Sequence, residues 1–425
     1  MIDVYELTKF VASGKTFRLV RFALMAGVAA SVSAGNASAA VARESGTHYV
    51  ADAMTEFVER GIIPGAISIL YKDGVQETCC MGYADVAAKR PITLDDPFMQ
   101  CSQTKGFCGV TVAMLVEDGK LSLDDPVSKY LPEFKELWVK VSETNGVRML
   151  RRAKNALTVR MVMNHTGGFP FELAAKAPEI PSGGWNGGMP LRSVAATAAA
   201  QPLLFEPGTG EQYSNTGIDI GAAIVEIVSG QRWEDFLKKR VFDPLGMTNT
   251  GFKPSDELLA HKIELYDVAE NRPAVHMPES PWMRPPYNGD RVFPSAGAGL
   301  WTTARDQVKF YKMLVNLGVG ENGVRILREE TVKNLLARSS RPKNMDGYSL
   351  GLRAPVEDGE DWWFGHGGAF ATNCMVNWHR KALFMWVTQN GKEDWNFWYP
   401  KWEVAMKRFF GFPVDINAAY VGRVR

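Results

Sequence analysis

One stretch, from Thr104 to Glu117, restricts the fold of this chain more than any other. Its apolar residues recur near helical spacing until Gly119 ends the run, at Phe107, Val110, Met114 and Val116. This spacing predicts a mostly buried helix, and such a helix needs a large core around it. With 425 residues, of which 46% are hydrophobic and 22% charged, the chain is long enough to enclose one.

Ser102 and Lys105 lie three residues apart at the N-terminal edge of this helix. Positions i and i+3 share a helix face, so the lysine amine can reach the serine hydroxyl. The unpaired N–H groups and the positive dipole end of the helix favour negative charge beside Ser102. The pair therefore indicates a nucleophile with a proton acceptor beside it. Taken alone, Ser-x-x-Lys is also typical of a capping serine followed by a solvated lysine.

Two further clusters downstream, Tyr213-Ser214-Asn215 and His366-Gly367-Gly368-Ala369, favour the first interpretation. In this order and with these separations, the three clusters resemble those of the serine β-lactamase and penicillin-binding-protein family. The resemblance is to class C β-lactamases and their relatives, the family VIII carboxylesterases and D-alanyl-D-alanine peptidases. It extends over about residues 47 to 410 and includes Met163-Asn164-His165-Thr166-Gly167-Gly168 and Ser295-Ala296-Gly297-Ala298-Gly299-Leu300.

The predicted fold class is α/β (α+β). Strand-like runs at residues 66–71 and 75–80 flank Lys72-Asp73-Gly74, which indicates a hairpin. More strand-like runs follow residue 347, and an aromatic helix over 395–410 closes the chain. Early strands that pair with late strands give an antiparallel sheet flanked by helices, with an all-helical subdomain beside it. The resemblance implies the same β-lactamase/transpeptidase-like architecture.

We expect a serine hydrolase domain over residues 41–425. Its α/β part covers about 47–100 and 296–425, and its mainly helical part about 101–295. Residues 1–40 read as an export signal, because basic residues precede a short apolar run and Ala37-Ser38-Ala39 suits a signal peptidase. The predicted location is periplasmic or secreted. An uncleaved segment acting as a membrane anchor is the alternative, and otherwise no stable membrane partner is expected.

The composition limits cofactors and partners. A net charge of +1 provides no global field to attract nucleic acid, so no such partner is expected. The six histidines and five cysteines lack the spacing of a zinc site, and we expect neither a metal nor a cofactor. The cysteines suit buried thiols. The expected partner is a small-molecule ester, amide or lactam substrate.

The resemblance implies a role for each motif residue. Ser102 attacks a carbonyl carbon and forms an acyl-enzyme, with Lys105 or Tyr213 as the proton acceptor. A free lysine has a pKa near 10.4 and a tyrosine near 10, so either needs a downward shift of roughly 3 units, about 4 kcal/mol, to serve at neutral pH. Asn215 is expected to hold Lys105 and the substrate. The two glycines, Gly367 and Gly368, bring the backbone close to the substrate, and the N–H groups of Ser102 and Ala369 form the oxyanion hole.

His366 departs from the common β-lactamase pattern, which has lysine at that place. A histidine is mostly neutral at pH 7, so a substrate carboxylate gains less there than from an ammonium. The leading prediction is an esterase that acts on small carboxylic esters. One alternative is a D-amino-acid peptidase, amidase or β-lactamase. Another is a penicillin-binding or sensor-like protein that acylates slowly and does not turn over.

Overall fold

The computed structural model describes residues 48–171, 190–278, 293–339, 347–355, 362–392 and 397–414, so the predicted export signal lies outside the described residues. The strands are β1 (Gly65–Lys72), β2 (Val75–Asp85), β3 (Arg90–Pro91), β4 (Pro97–Met99), β5 (Trp138–Thr144), β6 (Val147–Arg152), β7 (Tyr266–Ala269), β8 (Arg272–His276), β9 (Trp301–Thr303), β10 (Phe364–Gly368), β11 (Thr372–Asn377), β12 (Ala382–Val387) and β13 (Asn390–Lys392). The α-helices are α1 (Tyr49–Glu59), α2 (Thr104–Glu117), α3 (Val159–Met163), α4 (Leu191–Ala199), α5 (Asn215–Ser229), α6 (Trp233–Leu237), α7 (Asp243–Leu245), α8 (Asp256–Leu259), α9 (Ala304–Val315), α10 (Glu329–Thr331) and α11 (Tyr399–Phe410).

Six strands form an antiparallel sheet in the order β10-β11-β12-β1-β2-β3. Strands β1 and β2 form the predicted hairpin, and in its turn Asp73 and Gly74 have positive φ angles of 49° and 87°. Two such residues give a turn whose twist matches that of the flanking strands. Strand β1 also pairs with β12, with Ile67 opposite Val387. The predicted pairing of early with late strands is therefore confirmed.

Side chains alternate between the two faces of this sheet along each strand. Both faces are covered and buried. On one face, Leu70 packs with α1 and α11, and the buried Trp402 of α11 donates its indole N–H to Ser68 Oγ at 3.3 Å. On the other face, Ile67 joins the larger core around α2 and α9. The predicted covering of the sheet by the C-terminal helix is confirmed.

Helix α2 lies in the centre of that larger core, and each of its residues from Thr104 to Leu115 is buried. Phe107 stacks on Phe310 of α9 with ring centroids 3.8 Å apart. Truncating a buried phenylalanine to alanine costs about 3–5 kcal/mol. Helix α2 is therefore a rigid support for the turn that precedes it.

The described residues between 101 and 295 contain α2 to α8 and also two hairpins, β5–β6 and β7–β8, so the subdomain predicted to be all-helical includes strands. At the first hairpin turn, Asn145 and Gly146 have positive φ angles of 52° and 78°. Strand β13 pairs in parallel with β7 and so joins the two parts of the chain. The predicted boundary between those parts stays a prediction.

Two further observations concern the described part of the chain. None of the five cysteines, which all lie in this part, is in a disulfide, and four of them are buried, whereas Cys80 is partly exposed. Among the helices in the described ranges, none combines the length and the apolar composition that a bilayer crossing requires.

Candidate active site

Ser102 lies in a single 3₁₀ turn, Cys101–Gln103, that leads directly into α2. Cys101 has a positive φ of 50°, a backbone conformation that costs a non-glycine residue on the order of 1–3 kcal/mol. The Thr104 hydroxyl donates to the Cys101 carbonyl at 2.7 Å and holds the turn. Cys101 and Gln103 are buried, whereas Ser102 is partly exposed. Ser102 is therefore the accessible side chain of this turn.

Lys105 is fully buried, and its side-chain nitrogen contacts three oxygens. Lys105 Nζ lies 2.6 Å from Asn215 Oδ1, 2.6 Å from the Gly297 carbonyl oxygen and 3.1 Å from Ser102 Oγ. Amide and carbonyl oxygens only accept, so each takes one hydrogen from Nζ. The third direction around Nζ points at Ser102 Oγ. The predicted contacts of Lys105 with Ser102 and Asn215 are both present.

Tyr213 lies just before α5, and its hydroxyl lies 3.3 Å from His366 Nε2. Lys105 Nζ lies over the Tyr213 ring, 4.6 Å from its centroid. Burial raises the pKa of Tyr213 well above its usual value of 10.0. Tyr213 is therefore a protonated phenol at neutral pH, and a preformed tyrosinate is disfavoured.

His366 lies on β10 and is 5% exposed. Burial, and then the positive charge of Lys105, lowers the pKa of His366 from 6.5 to about 3, so the ring is neutral at pH 7. Its Nδ1 lies 2.5 Å from the Gly367 carbonyl oxygen, which can only accept, and we assign the ring proton to Nδ1 on that ground. Nε2 is then the acceptor for the Tyr213 hydroxyl.

These assignments give the hydrogen bonds around the nucleophile a direction. Tyr213 donates its O–H to His366, so the Tyr213 oxygen faces Ser102 as an acceptor. Burial is the largest influence on the pKa of Tyr213 and raises it, whereas the Ser102 hydroxyl lowers it as a donor does, so we assign the Ser102 O–H to the Tyr213 oxygen. Ser102 Oγ accepts from Lys105. All of these contacts are satisfied together when Lys105 is an ammonium. In the structure His366 contacts Tyr213. The predicted role of His366 opposite a substrate carboxylate stays a prediction.

Strand β10 is an edge strand of the sheet, and it lies against the turn that carries Ser102. The Gln103 side-chain amide donates to the His366 carbonyl at 3.1 Å. A Cβ on Gly368 would lie 2.4 Å from the Gln100 carbonyl oxygen, so only glycine fits there. Ala369 follows and is exposed. The predicted roles of Gly367, Gly368 and Ala369 toward the substrate, including the oxyanion hole, stay predictions.

Sequence reasoning missed Tyr348, an aromatic residue that packs against Tyr213. Tyr348 is buried, and its ring centroid lies 5.9 Å from that of Tyr213 and 4.8 Å from that of His165. His165 accepts the Ser214 N–H at Nδ1, at 3.2 Å, and so holds the start of α5. Tyr348 comes from a distant segment without a local sequence signal, because only the tertiary fold brings its ring to Tyr213.

Asp219 and Gly297 are also part of the site. Gly297 lies in a segment that carries the family resemblance, but no role was predicted for either residue. Asp219 Oδ1 accepts the backbone N–H of Gly297 at 3.1 Å, and the Gly297 carbonyl accepts from Lys105. Asp219 lies one helical turn after Asn215, and this i, i+4 spacing was the available signal. Over the described residues, no group of histidine, cysteine, aspartate and glutamate side chains has the arrangement of a metal site.

The fold is that of the β-lactamase-like hydrolases. The chain matches the model of the Beta-lactamase family over residues 50–403, and it belongs to that family. The predicted family is therefore confirmed.

Three known proteins illustrate the relationship. Protein Rv1367c of Mycobacterium tuberculosis is 28% identical over 332 residues, which are 76% of this chain and 77% of that protein. The LovD6 mutant of simvastatin synthase from Aspergillus terreus has a TM-score of 0.68 at 21% identity and covers 87% of this chain and 100% of its own. EstCE1, described as a hydrolase with promiscuous acyltransferase activity, has a TM-score of 0.66 at 20% identity and covers 84% and 97%. The predicted β-lactamase/transpeptidase-like fold is confirmed by these structures.

Proposed function

We propose that this protein is an esterase that hydrolyses small carboxylic esters through an acyl-enzyme at Ser102. The observation that carries the proposal is the environment of Lys105 Nζ. Two fixed oxygens, from Asn215 and Gly297, take two of its hydrogens and leave the third direction for Ser102 Oγ, 3.1 Å away. A buried cation held at that distance stabilises negative charge as it develops on the attacking oxygen.

In the acylation step, Ser102 Oγ bonds to the ester carbonyl carbon, and the Ser102 proton passes to the Tyr213 oxygen. In the same step the Tyr213 hydroxyl turns from His366 Nε2 to the leaving oxygen and gives up its own proton there, so Tyr213 stays a neutral phenol. The alcohol departs when its bond to the carbonyl carbon breaks. Lys105 keeps its three hydrogens throughout. The raised pKa of Tyr213 supports this shuttle, because the route needs a phenol and no standing tyrosinate. Water then attacks the acyl group by the reverse proton path and releases the acid.

The environment of His366 supports ester substrates over β-lactams. His366 stands where the common β-lactamase pattern has a lysine, and burial lowers its pKa to about 3. A neutral ring attracts a substrate carboxylate less than an ammonium does. A neutral ester needs only the nucleophile, the proton shuttle and the oxyanion hole.

One observation favours the alternative, an amidase or peptidase acting on carboxylate-bearing substrates. Arg353 is partly exposed, and its Nε lies 3.3 Å from the Tyr348 hydroxyl. Burial dominates the pKa of Tyr213 and of His366, and the positive charge of Arg353 acts on both as well. A guanidinium beside this group of side chains suits a substrate carboxylate.

Three substrates decide between these functions. We expect kcat/KM for p-nitrophenyl butyrate to exceed that for nitrocefin and for a D-alanyl-D-alanine peptide by at least ~10-fold, the factor that corresponds to 1.4 kcal/mol. Ser102→Ala is the control and should abolish turnover of all three. A preference for nitrocefin or the peptide would overturn the esterase proposal. A burst of acylation with negligible steady-state turnover would identify the slow, sensor-like alternative.

A further inference from the structure

We propose that Asp219 is a positioning residue for acylation, which holds the Gly297 carbonyl against Lys105 and supplies the negative charge that keeps Lys105 an ammonium. This inference deepens the proposed function and rests on it. Asp219 touches neither Ser102 nor the site of the reacting carbonyl in the contacts described, so it acts through Lys105.

The first support is the geometry of the loop that Asp219 holds. Asp219 Oδ1 accepts the backbone N–H groups of Ala296 at 2.7 Å and Gly297 at 3.1 Å. The Ser295 hydroxyl donates to the same oxygen at 3.4 Å. The Gly297 peptide therefore has its N–H on Asp219 and its carbonyl on Lys105, at 2.6 Å. One carboxylate fixes the orientation of that peptide plane.

The second support is that α5 supplies both acceptors of Lys105. Asn215, at the start of α5, accepts from Lys105 directly at 2.6 Å. Asp219, one turn later, sets the other acceptor through Gly297. Residues four apart on a helix lie on the same face, so a single rigid element determines where Lys105 Nζ points.

The third support is charge. Asp219 is 7% exposed, and the described contacts of its side chain are with neutral donors. The charged and titratable groups that act on it from the packed helix α2 are Lys105 and Cys108. Burial raises the pKa of Cys108 well above 9.0, so Cys108 stays a neutral thiol, and Lys105 is the cation that an ionised Asp219 meets. Burial raises the pKa of Asp219 to about 7, so Asp219 is ionised above that pH.

The test separates charge from hydrogen bonding. Asp219→Asn keeps an oxygen that can accept the two backbone N–H groups and removes the charge, whereas Asp219→Ala removes both. The matched control is Asp235→Asn, which changes an exposed aspartate on the neighbouring helix α6. The measured quantity is the rate at which a serine-reactive phosphonate labels Ser102, from pH 5 to pH 10, with the labelled peptide identified by mass spectrometry.

We expect the alkaline limb of the labelling profile to move to lower pH in Asp219→Asn, because removal of the opposite charge makes the ammonium form of Lys105 less favourable. Asp235→Asn should match the wild type. Asp219→Ala should label more slowly than Asp219→Asn at every pH, since the Gly297 peptide is also released.

Two outcomes would overturn the inference. If Asp219→Asn and the wild type give superimposable profiles, the charge of Asp219 does not act on Lys105. If Asp219→Ala labels as fast as Asp219→Asn at every pH, its hydrogen bonds do not position the site. Both differ from failure of acylation at Ser102, in which wild-type Ser102 would not be labelled at all, and from failure of the esterase proposal, in which Ser102 is labelled but nitrocefin or the peptide is the preferred substrate. Circular dichroism of each variant separates these outcomes from loss of the fold.

Discussion

At the residue scale, Lys105 contacts the Ser102 oxygen, and the proposed mechanism has Tyr213 receive the Ser102 proton. Groups that act as one unit are strongly non-additive on mutation. We expect Lys105→Ala and Tyr213→Phe each to slow acylation of Ser102 by on the order of 10²-fold or more. The double variant should be little slower than either single variant, as measured by single-turnover kinetics with p-nitrophenyl butyrate.

The chain offers a matched control for that pair. Lys129 and Tyr130 both contact Asp125, and Lys129 Nζ lies 5.2 Å from the Tyr130 ring centroid. Lys129→Ala and Tyr130→Phe remove a similar pair outside the proposed site and should leave acylation unchanged. Multiplicative losses in the Lys105 and Tyr213 series would contradict a coupled unit.

His366 orients the proton shuttle, according to the hydrogen bonds of the site. His366→Phe removes the acceptor of the Tyr213 hydroxyl while keeping an aromatic ring. We expect kcat to fall by about 10-fold or more with a smaller change in KM, since a misdirected general acid or base forfeits part of its contribution. His379→Phe, at an exposed histidine, is the control. An unchanged kcat in His366→Phe would show that Tyr213 needs no such acceptor.

Spacing along the chain revealed some residues of the site and not others. The Ser102 to Lys105 contact was predictable because it lies within one helical turn. The contact of Tyr213 with His366 joins residues 153 positions apart. It depends on the pairing of β10 with β11 and on the position of α5, which local patterns do not specify.

At the element scale, the loop that contains Gly297 must approach α5 closely. A Cβ on Gly297 would lie 2.7 Å from Asn215 Cβ and 2.8 Å from Asn215 Oδ1. Gly297→Ala should therefore displace Asn215 or the loop, and kcat should fall by roughly 10²-fold, the effect of a misplacement near 1 Å. Gly251→Ala is the control, because no heavy atom lies within 4 Å of its added Cβ. Retained kcat in Gly297→Ala, measured with p-nitrophenyl butyrate, would contradict the positioning role of this loop.

The sequences of two turns carried the signal for the strands that flank them. Both the β1–β2 hairpin and the β5–β6 hairpin have two-residue turns with positive φ at both positions. The first was predicted from Asp73-Gly74. The second carries the stronger signal, Asn145-Gly146, and was overlooked within a segment assigned as mainly helical. The parallel pairing of β13 with β7 has no local signal, because it joins strands far apart in sequence.

At the scale of the whole molecule, two buried groups give stability opposite pH dependences. The folded pKa of Asp219 is raised to about 7 from 3.8, so the folded state binds more protons than the unfolded state between those values, and stability falls as pH rises. The folded pKa of His366 is lowered to about 3 from 6.5, so the unfolded state binds more protons there, and stability falls as pH drops.

Urea unfolding from pH 4 to pH 7 separates the two contributions. Relative to wild type, Asp219→Asn should gain unfolding free energy as pH rises through this window, whereas His366→Phe should gain it as pH falls. Parallel curves for a variant and the wild type would show that the corresponding group does not titrate differently in the folded state.

Export through residues 1–40 stays a prediction, because those residues lie outside the part of the chain that the structure describes.

The central claim is that Ser102 forms the covalent bond, and locating the adduct tests it most directly. Incubation with a serine-reactive phosphonate, followed by peptide mass spectrometry, should place one adduct on the peptide that contains Ser102. Ser102→Ala should give neither adduct nor hydrolysis of p-nitrophenyl butyrate. An adduct on another residue, or full activity in Ser102→Ala, would contradict the account.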